Sequence, residues 1–274
     1  MANPLASLSN LQQRVIVAVL GIALFMGMLF SGTEATIGLF AIILALSLYE
    51  FYSLSPFKTP LGWKLLGLLT GLLIFLVLIL NSMSGIAVPS RILFFIPPFL
   101  FIPLVFSKSA QPFQMIGWLV LGWFYLITPW VCMLLIPMEL EYSPQVFLGL
   151  FGLLWMADSG AYFAGKNLGK TKLLPRVSPK KSWEGLGGGL LASLILAYVL
   201  GEYEIGFTQN QWLVLAVSTT IFGTLGDLAE SALKRSLDLK DSGNLLPGHG
   251  GILDRFDGLF VAAPANLILV QLFF

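Results

Sequence analysis

Gln211–Arg235 reads QWLVLAVSTTIFGTLGDLAESALKR, an apolar run that ends in Asp227, Glu230, Lys234 and Arg235. As a helix rising about 1.5 Å per residue, the stretch from Gln211 to Asp227 covers roughly 24 Å. That is most of the roughly 30 Å hydrocarbon thickness of a bilayer. The segment therefore reads as a membrane span whose charged end lies at a membrane face. Charge beside lipid costs about 2.5–3.5 kcal/mol per residue at mid-membrane, which makes such a terminus a functional-site candidate.

The rest of the chain agrees with this reading. Of 274 residues, 57% are hydrophobic and 11% charged, against about 25% charged in a soluble domain. Mean hydropathy is +0.88. The composition predicts an all-α, polytopic integral membrane protein. Nine candidate spans lie at 14–30, 36–54, 61–80, 92–106, 113–136, 145–165, 185–201, 211–233 and 256–273. The fourth contains Pro97, Pro98 and Pro103 and reads as kinked or irregular. Val15–Phe30 is also short enough for a signal-peptide core, but Ser31–Ala35 is a weak cleavage context and more spans follow.

With the N-terminus in the cytoplasm, the positive-inside rule places every Lys and Arg except Arg91 on the cytoplasmic side. Glu34, Glu139, Glu141, Glu202 and Glu204 then fall in outer loops. A net charge of +1 gives no sign of a nucleic-acid partner. The single cysteine, Cys132, excludes an internal disulfide and any multi-cysteine metal site. Residues 1–140 read as five spans serving as scaffold or dimerisation surface, and residues 141–274 as the region carrying a site at the cytoplasmic face.

Two windows hold most of the charge. Asp227–Asp257 carries ten charged residues and the only histidine, and Asp158–Glu184 carries eight. Asp227, Glu230, Ser231 and Lys234 share one helix face at i, i+3, i+4 and i+7. Beyond them, Asp241-Ser-Gly-Asn and Pro247-Gly-His249-Gly250-Gly251 form a glycine-rich segment whose N–H groups can converge on an anion. Asp254-Arg255-Phe-Asp257 leads into the last span, while Asp158 and Tyr162 share a face at the end of the sixth. Hard carboxylate oxygens, without a histidine pair or thiolates, suit Mg²⁺ better than zinc. Carboxylates beside Lys and Arg suit transfer of a phosphoryl or nucleotidyl group, because charge on phosphate oxygens must be neutralised.

Plainer readings exist for the same residues. Asp254 and Asp257 also suit the N-terminus of the last span as caps. Glu230 and Lys234 also read as an i, i+4 pair on a solvated helix end, and Lys234 and Arg235 as headgroup anchors. His249 fits a structural hydrogen bond in a turn as well as a ligand or proton-transfer role. Lys166, Lys170, Lys172 and Arg176 suit either phosphate contact or topology alone. Ser178-Pro179-Lys180-Lys181-Ser182-Trp183-Glu184-Gly185 predicts a helix start with Ser178 as N-cap and Pro179 at the first position. Capping leaves Lys180 and Lys181 unexplained, and both are candidate phosphate contacts.

Ser231-Ala-Leu-Lys234-Arg235, Lys240-Asp241 and Leu246-Pro247-Gly-His249-Gly250-Gly251-Ile-Leu-Asp254-Arg255-Phe-Asp257 resemble the signature of phosphatidate cytidylyltransferases, or CDP-diacylglycerol synthases. Asp158–Tyr162 and Ser178–Gly185 resemble further motifs of that family. The resemblance implies the reaction of CTP with phosphatidic acid to CDP-diacylglycerol and pyrophosphate, in a multi-span protein of the bacterial cytoplasmic membrane or of eukaryotic organelles. It implies Mg²⁺ held by Asp227 and Asp254, a monovalent ion such as K⁺ as a further candidate nearby, and a homodimer. It also makes Asp241, Arg255, Asp257, Ser231, Gly250, Gly251 and Glu184 candidate site residues. A CTP-dependent lipid kinase or a cytidylyltransferase acting on another lipid phosphate is the nearest alternative. An ion-coupled transporter using Asp158, Asp227 and Asp254 is a reading from another class. No internal repeat supports it, and the acids lie at one face, not at the midplane.

Overall fold

The structure, a computed structural model, describes residues 10–57, 59–83, 100–107, 109, 111–138, 140, 142–243, 245 and 250–274. Helices α1 (Asn10–Phe30), α2 (Thr33–Ser53), α3 (Leu61–Met83) and α4 (Phe101–Val105) come first. Helices α5 (Pro112–Gly122) and α6 (Thr128–Met138) are joined by a π-helical turn, Trp123–Ile127. After α7 (Pro144–Leu168) come strands β1 (Lys172–Leu174) and β2 (Ser178–Ser182). Helices α8 (Trp183–Glu202), α9 (Gln209–Ser236), α10 (Leu253–Phe256) and α11 (Leu259–Phe273) complete the chain.

Seven helices among the described residues are long and apolar enough to cross a membrane, with α5, the π turn and α6 counting as one and α10 and α11 as another. They coincide with seven of the nine spans expected from the sequence. The first expected span lies in α1, and most of the fourth, 92–106, lies outside the described residues. Lipid-facing positions such as Leu69 and Leu191 are exposed leucines, as a bundle in hydrocarbon requires.

Local chemistry fixes the helix ends. Thr208 and Gln211 form a reciprocal capping box at the start of α9. Ser143 accepts Val146 N–H at the start of α7, with Pro144 at the first position. The π turn precedes Pro129, which has no N–H for the Tyr125 carbonyl and whose ring crowds it, so the helix widens there.

One expectation is corrected here. Ser178 does not cap a helix: Ser178–Ser182 is a strand, paired antiparallel to Lys172–Leu174. Pro179 pushes the residue before it into extended geometry, and a turn through Pro175 and Arg176, with Val177 N–H on Leu174 O, folds the chain back. The cap is Ser182, whose Oγ accepts Gly185 N–H at 3.1 Å. Glu184 accepts Thr171 N–H at 3.0 Å and so ties the base of the hairpin to the first turn of α8.

The hydrophobic core is continuous from Leu29 to Val270. Trp130 of α6 meets Phe256 of α10 at 4.9 Å, and Tyr125 meets Phe260 of α11 at 4.9 Å. α7 and α8 approach most closely, through small residues. A Cβ on Gly160 would lie 2.6 Å from Gly188 O and 2.7 Å from Ala192 Cβ. Gly160→Val should therefore cost about 1–3 kcal/mol by overpacking. Thermal or denaturant unfolding in detergent measures this, and a variant as stable as the parent would contradict the close approach.

Candidate active site

The hairpin lays Lys181 against the charged end of α9. Its Nζ lies 2.5 Å from Asp227 Oδ2, while Ser231 Oγ donates to Asp227 Oδ1 at 3.2 Å. Above this pair is a cavity of about 270 Å³ with Asp158, Tyr162, Lys181, Thr220, Thr224 and Asp227 in its wall. Ala157, Ala161 and Leu186 add apolar surface to the same lining. Asp158 and Tyr162 thus share the face the sequence predicted, and Lys166 Nζ sits 5.9 Å from the Tyr162 ring centre. Lys180 is exposed on the hairpin.

Two turns further along α9 from Asp227, Lys234 bridges two carboxylates. Its Nζ is 2.5 Å from Asp254 Oδ1 and 3.4 Å from Glu230 Oε1. Glu230 is buried and neither of its oxygens has a hydrogen-bond partner in the structure. The solvated-pair reading of Glu230 and Lys234 therefore fails: both side chains are withdrawn from solvent, at 1% and 12% exposure. Asp254 is not a helix cap either. Its Oδ2 accepts from Ser242 N–H at 3.0 Å and Gly251 N–H at 3.3 Å, with Ser242 Oγ 2.9 Å away, all upstream of it.

Asp257 Oδ1 accepts Gly258 N–H at 2.7 Å, and its carboxylate lies in the field of Asp227, Asp158 and Lys181. Glu230 in turn feels Asp257 and Asp254. Asp158, Asp227, Asp257, Glu230 and Asp254 thus form one electrostatic group with Lys181 and Lys234. Carboxylates outnumber lysines there, five to two, which fits a hard cation. Among the described residues, no three of His, Cys, Asp or Glu converge as a metal cage. Asp227 and Asp254 are held by different lysines, so any Mg²⁺ would complete its shell with water or substrate phosphate oxygens, as this ion commonly does.

The remaining candidates are distributed around this group. Arg235 is exposed and its guanidinium donates to Leu239 O at 2.9 Å, closing the end of α9. Lys240, Asp241 and Arg255 are exposed. Gly250 has φ +83°, a left-handed geometry suited to glycine. Gly251 N–H is engaged by Asp254 and is not turned to an outside anion. His249, with Pro247 and Gly248, lies outside the described residues.

Sequence reading missed Glu50, Ser242 and Tyr125. Glu50 of α2 is buried at 3% exposure and accepts Ile252 N–H at 2.8 Å, Leu253 N–H at 3.3 Å and Ser242 Oγ. A lone carboxylate inside an apolar span was the available signal. Tyr125, on the π turn, has a buried hydroxyl without a hydrogen-bond partner and lies in the field of Glu230, Asp257 and Asp227.

A helical membrane bundle that gathers lysine-paired carboxylates at one end of its spans has the makings of membrane-embedded phosphate chemistry. Residues 12–273 match the Cytidylyltransferase family, and the chain belongs to it. It is 33% identical to the phosphatidate cytidylyltransferase of Bacillus subtilis (strain 168) over 270 residues, 96% of this chain and 99% of the relative. It is 49% identical to that of Staphylococcus aureus (strain COL) over 124 residues, 44% of this chain and 47% of the relative. With that of Haemophilus influenzae it shares 48% over 128 residues, 43% of each chain.

The Lys234 bridge has a measurable consequence. Lys234→Met leaves Glu230 and Asp254 without their common cation, and breaking a buried pair from one side costs about 3–5 kcal/mol. Adding Glu230→Gln should restore part of this in an unfolding experiment. A single variant with parental stability would contradict the bridge.

Proposed function

We propose that this chain transfers the CMP group of CTP to phosphatidic acid, giving CDP-diacylglycerol and pyrophosphate for phospholipid synthesis. The observation that carries the reading is the placement of the Lys181–Asp227 and Lys234–Asp254 pairs, where the family signature and the hairpin meet beside a cavity lined by both polar and apolar side chains. A lipid phosphate entering from the membrane and a nucleotide entering from water can both reach such a boundary.

In the proposed mechanism an oxygen of the phosphatidate phosphate attacks the α-phosphorus of CTP. The bond from that phosphorus to the bridging oxygen of the β-phosphate breaks, and pyrophosphate leaves with its electron pair. Lys181 and Lys234 turn part of their charge from Asp227 and Asp254 toward phosphate oxygens, and Arg235, Lys240 and Arg255 add positive charge at the rim. Asp158 and Tyr162 shape the cavity wall, and Ser231 holds the Asp227 carboxylate. A phosphate monoester already ionised near neutral pH needs little help from a general base, so His249 need not act as one. Asp227 and Asp254 are the residues that would hold Mg²⁺, with K⁺ as a further cation. Bound Mg²⁺ supplies charge neutralisation to the phosphates.

In this reading residues 141–274 carry the reacting groups and residues 1–140 support them. The protein acts in the cytoplasmic membrane, with the site on the cytoplasmic side, as a homodimer. Purified protein with CTP, phosphatidic acid and Mg²⁺ should release pyrophosphate and form a cytidine-bearing lipid in equal amounts. CDP as the product would indicate a kinase, and neither product a transporter. Asp227→Asn and Asp254→Asn should each lower turnover about 100-fold or more while the protein still inserts and elutes as a single species. Near-normal turnover in both would overturn their assignment.

A further inference from the structure

We infer that Glu50, a buried carboxylate of α2, is a positioning residue for the site: it clamps Ser242 and the entry to α10 at Ile252 and Leu253 so that Asp254 is presented to Lys234. This rests on the reading of Asp254 as part of the transfer site.

Glu50 lies far from the charged windows in sequence and inside an apolar span. Burial of a lone carboxylate is costly unless hydrogen bonds compensate it. Glu50 has three donors: Ile252 N–H on Oε2 at 2.8 Å, Leu253 N–H on Oε1 at 3.3 Å, and Ser242 Oγ on Oε1. The two amides belong to the start of α10, where no local side chain caps the helix. Glu50 takes the place of that cap from another part of the fold.

The third donor links Glu50 to Asp254. Ser242 Oγ is also 2.9 Å from Asp254 Oδ2, and Ser242 N–H donates to the same oxygen at 3.0 Å. A hydroxyl carries one hydrogen and can donate it to one acceptor at a time, so Ser242 sits between the two carboxylates and fixes their separation. Gly243 and Gly251 leave room for the clamp. A Cβ on Gly251 would overlap Ser242 Oγ and Glu50 Oε1, and a Cβ on Gly243 would lie 3.1 Å from Glu50 Cδ. Gly251 is therefore glycine because a carboxylate occupies the space a side chain would need. Asp254 is consequently gripped from two sides, by Ser242 and Gly251 on Oδ2 and by Lys234 on Oδ1.

Glu50→Ala and the isosteric Glu50→Gln test this in the full-length protein in detergent. Amide hydrogen exchange at Ile252 and Leu253 should quicken by about tenfold or more in Glu50→Ala, with the middle of α9 unchanged. Turnover per folded molecule should fall about 10- to 100-fold, as for misplacement of a reacting group, with KM for CTP near the parental value. Glu50→Gln should fall between, because its amide oxygen still accepts a backbone N–H while its NH₂ cannot accept from Ser242. A merely structural role would lower the folded fraction and leave kcat per folded molecule intact. Unchanged exchange, or quickened exchange with unchanged kcat, overturns the inference. If Glu50→Ala fails to fold, Glu50→Gln decides it on the same criteria. Should the parent protein form no cytidine-bearing lipid, the proposed reaction fails, and the exchange result still decides the clamp.

Discussion

A carboxylate near hydrocarbon must find a cation or a set of donors, and this protein concentrates that requirement at one end of its bundle. Asp158, Asp227, Glu230, Asp254 and Asp257 share one electrostatic neighbourhood with Lys181 and Lys234. Each lysine is claimed by a carboxylate within 2.5 Å. Carboxylates outnumber lysines in this group, a donor set that suits a hard cation. Most other features of the site serve to hold these charges apart at set distances.

The parts that hold them come from distant stretches of chain. The β1–β2 hairpin delivers Lys181, α9 delivers Asp227, Glu230 and Lys234, and α10 delivers Asp254. α2 supplies Glu50, and the π turn ahead of Pro129 brings the Tyr125 ring against Phe260. The apolar core from Leu29 to Val270 is continuous across these elements. The N-terminal spans therefore pack directly on the signature segment.

Span positions were legible because hydrocarbon imposes length and composition on each helix, and Gln211–Arg235 displays both a span and its charged end. The shared face of Asp227, Glu230, Ser231 and Lys234 followed from helical periodicity, and Lys234–Glu230 and Ser231–Asp227 contacts bear it out. The hairpin was not legible. Ser178-Pro179 carries the marks of a helix start, and only pairing with Lys172–Leu174 decides otherwise. Ser182, four residues later, has the same capping chemistry and takes the role. Glu50 was hidden for a different reason: its partners are two backbone amides and a serine some two hundred residues away, and no local pattern records a long-range contact. Gly251 was visible as part of a glycine-rich turn, but the close approach that requires it involves Glu50 and so was invisible too.

The proposed transfer turns on which phosphorus of the nucleotide is attacked. Incubation of the purified protein with phosphatidic acid and CTP labelled at the α-phosphate, in parallel with CTP labelled at the γ-phosphate, reads this directly. The α-label should move into the organic-soluble lipid while the γ-label leaves in pyrophosphate. A γ-label in the lipid, or no label there from either nucleotide, would contradict the account.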